Sequence, residues 1–221
     1  PQESFSFGKD KFKLDLVDAV QSGDQIMSDI DISPMAMGGL TSGVSSRAMA
    51  QAYATFPNAG EYTYSRTYTR VTQLVDGEEV VLLENEPEKE QVLKESTAYY
   101  MNTMLQRVIS GSNVSGDGHT GGEAALSGMR AAGKTGTTTD NFDRWFVGYT
   151  PYYCAAVWTG YPKTNEKISA SGNPAITMWK PVMQKIHEHL ENKSFAKPAS
   201  GLEQVTVCAD SGLRCTDACL S

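Results

Sequence analysis

Apolar residues recur at helical spacing in three stretches of the chain, which predicts three amphipathic helices. The helices span about residues 46–57, 96–110 and 174–192, and a serine before the first stretch can cap its helix. The residues expected on the buried faces are Met49, Ala52, Tyr53 and Phe56, then Ala98, Met101, Leu105 and Val108, then Trp179, Met183, Ile186 and Leu190. Near the start, a weaker pattern predicts a short helix within residues 5–22 that Gly23 ends, followed by an extended connector over 26–34.

Runs of β-branched and aromatic residues predict the strands. The run 61–84 is broken by Asp76-Gly77, a dipeptide typical of tight hairpin turns, so it predicts a hairpin. Three more strands are expected over 129–137, 145–149 and 154–161, and their short links favour antiparallel pairing. Strands flanked by helices in this order predict an α+β fold, in which helices cover an antiparallel sheet.

Composition narrows the possible partners. The chain has 221 residues, of which 40% are hydrophobic, enough for the core of one ordinary domain. Its net charge of −7 argues against a nucleic-acid groove, because phosphate binding needs clustered Lys and Arg. No apolar run approaches the roughly 20 residues that a membrane-spanning helix needs. We therefore expect no nucleic-acid partner.

Cysteine and histidine give no metal or cofactor pattern. Cys154 lies in a strand-like segment and is interpreted as a small buried hydrophobe. The tail holds Cys208, Cys215 and Cys219; either Cys208 pairs with one of the other two in a disulfide, or all three are free thiols. The last helix carries His187 and His189, which we expect to be surface residues rather than ligands or bases. Four large aromatic residues are expected in the core rather than in a binding platform: Trp145, Trp158, Trp179 and Tyr149.

The candidate chemistry lies in Lys134-Thr135-Gly136-Thr137, where a cation, two hydroxyls and a glycine follow a run of small residues. A strand of this kind lets a substrate backbone lie close while a positive charge and hydroxyls hold its carboxylate. The ordinary alternative is a solvated lysine among threonines that β propensity favours. Lys-Thr-Gly alone is a weak motif, because chance produces many tripeptides.

Several segments in a fixed order strengthen the interpretation, and together they resemble the transpeptidase domain of class A penicillin-binding proteins. The matching segments are residues 35–45, 49–56, 134–138, 143–151, 156–161 and the cysteine-containing tail 205–219. The resemblance implies the β-lactamase/D,D-transpeptidase-like fold. Residues 1–193 are expected to be the C-terminal portion of that domain, whose N-terminal part is missing. Residues 194–221 are expected to be a tail, for which a disulfide is one of the two alternatives given above.

The resemblance implies acyl transfer through a serine acyl-enzyme. A serine attacks the carbonyl between two D-alanines of a peptidoglycan stem peptide, D-alanine leaves, and an amine resolves the acyl-enzyme into a cross-link; β-lactams imitate the donor. Lys134 would supply positive potential to the catalytic hydroxyls, and the Thr137 N–H would form half of the oxyanion hole. The substrate or β-lactam would be bound by Thr135, Gly136, Thr137 and Thr139, on a strand expected at the sheet edge.

The serine nucleophile of the family is not recognised. Ser6-Phe7-Gly8-Lys9 fits Ser-x-x-Lys literally, but we interpret it as a decoy, because only five residues precede it and the next landmark, Met35, follows too closely. Tyr100-Met101-Asn102 fits a Tyr-x-Asn motif and Ser171-Gly172-Asn173 a Ser-x-Asn motif, but both are out of order for the family. The first lies on the wrong helix, and the second follows the Lys-Thr-Gly strand. The chain is thus expected to be inactive alone and to need the missing N-terminal part of the same protein.

Two alternatives remain at this point. One is a serine β-lactamase or D,D-carboxypeptidase, and the other is a non-catalytic relative that binds wall peptides. The favoured interpretation implies D-Ala-D-Ala stem peptides and β-lactam antibiotics as ligands, no cofactor, and a parent protein on the extracytoplasmic face of a bacterial cell membrane.

Overall fold

The computed structural model describes residues 1–111, 119–162, 166–208 and 211–216. The helices are α1 (Gln2–Asp10), α2 (Ile32–Met37), α3 (Ser46–Ala54), α4 (Glu95–Ser110) and α5 (Pro174–Ile186). The strands are β1 (Val20–Ser22), β2 (Gln25–Met27), β3 (Glu61–Thr63), β4 (Arg70–Val75), β5 (Glu78–Glu84), β6 (Lys89–Gln91), β7 (Ala132–Thr137), β8 (Asp143–Tyr149) and β9 (Cys154–Gly160). Short 3₁₀ turns lie at Gly122–Ala124 and Thr139–Asn141.

The central sheet has three strands in the order β7-β8-β9, and both pairings are antiparallel. Helices α3, α4 and α5 all pack against this sheet. The predicted antiparallel sheet covered by helices is therefore confirmed. The remaining strands form separate two-stranded pairs, β1 with β2, β3 with β6 and β4 with β5.

One face of the sheet packs against α5. The Phe146 ring meets the Trp179 ring edge-on, with centroids 5.0 Å apart, and the Trp179 indole donates to the Gly148 and Ala155 carbonyls at 3.2 and 3.1 Å. Gly148 is required at this contact, because a Cβ there would lie 2.6 Å from atoms of both aromatic rings. Trp179 thus fixes α5 against β8 and β9.

The opposite face packs against α3 and α4 through a buried polar relay. The Tyr149 hydroxyl donates to Asn102 Oδ1 at 2.8 Å, and Asn102 Nδ2 donates to the Phe56 carbonyl at 2.9 Å. Burial raises the pKa of Tyr149, so its hydroxyl stays a donor over the ordinary pH range. On the same face, burial raises the pKa of Cys154 to about 12, which keeps that thiol protonated and unreactive.

A buried carboxylate organises the N-terminal region. Asp29, 1% exposed, accepts hydrogen bonds from the backbone N–H groups of Val17 at 2.8 Å and Thr41 at 2.6 Å. Burial alone would raise the pKa of Asp29, but the hydrogen bonds from Thr41 and Val17 outweigh it and leave the pKa below its ordinary value. Asp29 therefore joins two segments that share no sheet.

The Asp76-Gly77 hairpin is confirmed. Asp76 and Gly77 both have positive φ, 53° and 87°, as the tight turn between β4 and β5 requires. The three predicted helices are also present, although α3 and α5 end earlier than expected, at Ala54 and Ile186.

The N-terminal prediction was wrong in two places. The first helix ends at Asp10, and Gly23 lies in the turn of the β1–β2 hairpin rather than at a helix end. The connector predicted over 26–34 contains β2 and the start of α2, which Asp31 caps by accepting a hydrogen bond from the Ile32 N–H at 2.7 Å. Local capping and turn chemistry decide these short elements, whereas the weak periodicity suggested one longer helix.

The predicted helix faces need correction as well. On α4 the fully buried residues are Ala98, Leu105, Ile109 and the polar Asn102, whereas Val108 is half-buried. Met101 is half-buried too and packs against the core, as predicted. On α5 a four-residue series places Ala175, Trp179, Met183 and His187 towards the sheet, while Ile186 is 46% exposed.

His187 is therefore buried, at 4% exposure, and its prediction as a surface residue was wrong. Nδ1 donates to the Met183 carbonyl at 2.6 Å, so Nε2 accepts from the Thr150 hydroxyl at 2.8 Å. Trp158 corrects another expectation: it is 40% exposed, with its indole donating to Asp143.

The tail packs back on the domain: the Phe195 ring contacts the Tyr149 ring edge-on at 5.5 Å between centroids, and Ala196 to Ala199 line a small cavity with Phe56 and Tyr99. Cys215 has a free thiol, so its pairing with Cys208 is not observed. Cys219 lies outside the described residues, and a disulfide from Cys208 to Cys219 stays a prediction.

Candidate active site

Strand β7 is an edge strand, as expected for the candidate motif. In the described part of the chain it pairs with β8 alone, so the backbone groups on its outer side have no strand partner. Burial changes along it: Ala132 and Gly133 are buried, whereas Lys134 and Thr137 are exposed. An extended peptide can therefore add to the Lys134–Thr137 half as a further strand.

The side chains of this half alternate between the two faces of the sheet. Thr135 and Thr137 share the α5 face with their cross-strand partners Phe146 and Arg144. Lys134 lies on the α3 face, where its ammonium donates to the Thr135 carbonyl at 3.0 Å. No ion pair in the described residues involves Lys134, so its charge remains available to a ligand.

Gly136 has no side chain, so nothing projects from the α3 face of the strand at this position. A Cβ there would approach the Cβ of Trp145 at 3.1 Å, and the three nearest atoms all belong to that tryptophan. A substrate backbone that approaches the strand at this position would meet no side chain of residue 136 itself.

A cavity of about 660 Å³ opens on the α5 face. Thr135 and Thr137 line it together with residues of the segment 119–123, and the Thr135 hydroxyl is 3.1 Å from that of Thr120. Its complete lining is His119, Thr120, Gly122, Glu123, Thr135, Thr137, Arg144, Gly172, Asn173 and Ile176. The segment 119–123 thus borders the candidate site.

The structure does not bring all the predicted residues together. Lys134 and Gly136 do not line this cavity, because they lie on the other face of the strand. Thr139 also lies outside the lining, in the exposed turn Thr139–Asn141 that follows β7. The candidate site is thus an edge with two sides, one carrying the ammonium group and the other the two hydroxyls.

Sequence reasoning missed Arg144. It pairs with Thr137 in the sheet register, and its Nη1 donates to the Gly172 carbonyl at 3.2 Å inside the cavity. Its Nε is buried without a hydrogen-bond partner among the described residues. The sequence did contain a signal for Arg144. Side chains alternate between the two faces along each strand, so two antiparallel strands joined by the turn 138–142 place residues 137 and 144 on the same face.

Two of the three segments that resemble family motifs by chance have structural roles in the fold. Lys9 of the Ser6–Lys9 pattern pairs with Asp18, and Ser6 instead accepts a hydrogen bond from the Gln2 amide. Asn173 caps α5 by accepting from the Ala175 N–H at 3.0 Å, and its amide donates to the Trp145 carbonyl at 3.0 Å. Among the described residues, neither arrangement joins a serine hydroxyl to a lysine base.

Two further searches bear on the site. Among the described residues, no group of three or more His, Cys, Asp or Glu side chains is arranged to hold a metal ion. No helix in the described ranges combines the length and the apolar content that crossing a bilayer demands.

Comparison with known proteins identifies relatives along most of the chain. Residues 3–184 match the family described as penicillin binding protein transpeptidase domain. Penicillin-binding protein 1A of Clostridium botulinum is 35% identical over 194 residues, which cover 85% of this chain and 22% of that protein. The chain therefore spans about a fifth of the length of this curated relative.

Solved structures agree with this match. PonA1 of Mycobacterium tuberculosis in complex with penicillin V is 26% identical, with a TM-score of 0.61 over 76% of this chain and 44% of that one. Penicillin-binding protein 1A from Haemophilus influenzae has a TM-score of 0.66 at 17% identity, over 76% of this chain and 30% of that one, which supports the fold alone. None of these matches favours the two alternatives raised from the sequence.

Proposed function

Because the chain belongs to the penicillin-binding protein transpeptidase family, we propose that it supplies the substrate-binding strand of a peptidoglycan D,D-transpeptidase. The observation that carries the proposal is the exposed edge of β7, where an ammonium group, two hydroxyls and backbone groups without a second strand partner in the described part of the chain occupy four consecutive positions. These groups fit the carboxy end of a D-alanyl peptide, whose backbone can pair with the edge. The proposed reaction is acyl transfer that cross-links stem peptides.

Each residue of the motif has a proposed role. Lys134 provides positive potential beside the attacking serine, and the Thr137 N–H is one donor of the oxyanion hole. The hydroxyls of Thr135 and Thr137 bind the substrate carboxylate, and Gly136 keeps the strand surface low. Thr139, in the turn after the strand, binds substrate from the end of the edge.

The nucleophile is proposed to come from outside these 221 residues. A serine and a lysine one helical turn apart would meet β7 on the face that carries Lys134, because that face presents the ammonium group. Residues 1–193 then form the C-terminal portion of the transpeptidase domain and residues 194–221 a tail. The N-terminal part of the same protein is accordingly a required partner.

The substrate fixes the proposed location. Peptidoglycan lies outside the cytoplasmic membrane, so the parent protein would work at the bacterial cell membrane, on its extracytoplasmic face. Its ligands would be D-Ala-D-Ala stem peptides and, as imitations of them, β-lactam antibiotics.

Backbone-amide chemical-shift mapping tests the strand directly. A peptide ending in D-Ala-D-Ala is titrated into the purified chain, and shift changes are expected to concentrate on residues 134–137. Lys134→Ala should weaken binding by about ten- to 150-fold, since a hydrogen bond to a charged group contributes about 1.5–3 kcal/mol. Thr137→Val removes a hydroxyl and should cost about 0.5–1.5 kcal/mol.

Matched controls separate these effects from general changes in the chain. Lys180→Ala and Thr69→Val remove the same groups at exposed positions away from the strand and should leave binding unchanged. Shift changes confined to other elements, or equal losses in the control variants, would contradict the proposal.

A further inference from the structure

The β4–β5 hairpin has no strand partner beyond itself in the part of the chain that the structure describes, so each of its two strands has an open outer edge. Apart from half-buried Thr72, every residue of the two strands is exposed. A two-stranded hairpin is marginally stable by itself in water, and a third strand would stabilise it. The hairpin is therefore a candidate surface for another strand.

The two faces of the hairpin differ in chemistry. Side chains alternate along each strand, and residues paired across the strands share a face. One face, which we call the apolar face, includes four apolar side chains that are 37–54% exposed: Val71, Val75, Val80 and Leu83, beside Gln73 and Glu78. The opposite face is mixed and carries Arg70, Thr72, Leu74, Glu79, Val81 and Glu84.

The charges of the hairpin distinguish its two edges. Strand β5 contains Glu78, Glu79 and Glu84 and no basic residue, whereas Arg70 is the one charged residue of β4. Arg70 Nε lies 3.8 Å from a carboxylate oxygen of Glu84. Among the ion pairs of the described residues, none involves Glu78 or Glu79. The β5 edge thus carries negative charge that is largely uncompensated.

This charge complements a basic strand. Opposite charges on neighbouring strands stabilise their pairing. In a strand beside β5, basic side chains on the mixed face would lie close to Glu79 and Glu84. Because side chains alternate, the residues between them would point to the other side and extend the apolar face. The pattern that fits is therefore one of alternating basic and apolar residues.

A second copy of the chain fits the same edge poorly. Two β5 strands side by side would bring glutamates together, and like charges on neighbouring strands are destabilising. Charged side chains on edge strands commonly prevent such self-pairing. Pairing of two copies through β4 would avoid the repulsion, but it would leave the glutamates of β5 without a partner.

We propose that the outer edge of β5 binds an extended segment of a partner protein in which Lys or Arg alternates with β-branched apolar residues. The segment adds to the hairpin as a third strand, with main-chain hydrogen bonds to β5. The inference goes beyond the proposed acyl transfer, because the hairpin and β7 belong to different sheets.

Three heptapeptides titrated into the 221-residue chain test the proposal. The probe alternates four lysines with three valines, one control groups the same residues as two lysine pairs around three valines, and another replaces each lysine of the probe by glutamate. Backbone-amide shifts of residues 78–84 should respond to the probe. Both controls should bind at least about tenfold more weakly, because one cannot separate charged from apolar side chains and the other repels β5.

Equal binding of either control peptide, or no response to the probe at any soluble concentration, would overturn the proposal. Sedimentation of the chain alone distinguishes a second copy. A dimer whose formation shifts the amides of residues 70–84 would also overturn the proposal.

Hairpin variants give an independent check. The double variant Glu79→Gln/Glu84→Gln should bind the probe at least about threefold more weakly, since exposed ion pairs contribute modestly. Val80→Thr keeps the β-branched shape but adds a hydroxyl to the apolar face, and it should also weaken binding. Glu191→Gln and Val205→Thr make the same changes at exposed positions elsewhere and should leave the affinity unchanged.

Unchanged affinity in either hairpin variant would likewise overturn the proposal. None of the substituted residues belongs to the proposed substrate-binding strand. The mapping of D-alanyl peptides on residues 134–137 can therefore succeed or fail independently of this result.

Discussion

The relay from Tyr149 through Asn102 to the Phe56 carbonyl can be tested with one substitution, Tyr149→Phe. This substitution should lower the free energy of unfolding in the wild-type protein but not in a protein that lacks Asn102. Tyr149→Phe removes the hydroxyl and leaves Asn102 Oδ1 buried without a donor, since Asn102 is 3% and Tyr149 0% exposed. Leaving a buried polar group unsatisfied costs about 1–3 kcal/mol, so we expect that loss in the free energy of unfolding.

In an Asn102→Leu background the same change should be neutral or stabilising. Leucine has about the size of asparagine but offers no acceptor, so the Tyr149 hydroxyl is already unsatisfied before it is removed. The single variant Asn102→Leu should itself cost about 2–6 kcal/mol, because it leaves both that hydroxyl and the Phe56 carbonyl without partners.

Urea unfolding followed by circular dichroism measures all four proteins of this double-mutant cycle. Tyr100→Phe is the control, because Tyr100 is 52% exposed and should be indifferent to loss of its hydroxyl. Equal costs of Tyr149→Phe in both backgrounds would refute the relay, since the two groups would then not be coupled.

Three further predictions concern buried groups. Burial would raise the pKa of Asp29, but two backbone N–H groups hold this pKa below its ordinary value. The stability that the Asp29 carboxylate adds is therefore present at neutral pH and is lost as pH falls through the lowered pKa. Asp29→Asn should therefore flatten the acid side of a plot of unfolding free energy against pH, and an unchanged acid limb would contradict this. Because burial raises the pKa of Cys154 to about 12, thiol labelling followed by peptide mapping should modify Cys154 only after unfolding; labelling of the native protein would show the thiol to be accessible. Gly148→Ala places a Cβ 2.6 Å from the Trp179 ring, so it should lower the free energy of unfolding, measured with urea, by about 1–3 kcal/mol. Gly39→Ala is the control: nothing lies within 4 Å of its added Cβ, and it should leave that free energy unchanged.

The parts of the fold that the sequence predicted are those with strong local signals. Asp76-Gly77 predicted its hairpin because few residue pairs tolerate two consecutive positive φ values. The short links among β7, β8 and β9 predicted antiparallel pairing, and the motif strand lies at the sheet edge as expected.

Other features depend on contacts between distant segments. His187 is polar, so periodicity placed it at the surface, yet Thr150 and the Met183 carbonyl satisfy both ring nitrogens and allow its burial. Asn102 likewise replaced an apolar residue on the α4 face because Tyr149 and Phe56 provide its partners. A hydrophobic pattern assigns such residues to solvent, since it contains no information on partners.

The candidate site was predicted in part for the same reason. The motif identified the residues of one strand, but the cavity also uses Arg144 from the next strand and Glu123 from a turn. Alternation along paired strands could have indicated Arg144. The contribution of Glu123 follows from a loop conformation that no local signal specifies.

Fluorescent-penicillin labelling with peptide mapping tests the central claim most directly, that this chain supplies the binding strand while the serine comes from elsewhere. Two purified proteins are compared, the 221-residue chain and the protein extended through the reading frame upstream of Pro1. The account predicts a covalent adduct on an upstream serine of the longer protein and none on the shorter one. A stoichiometric adduct on Ser6 of the 221-residue chain would contradict it.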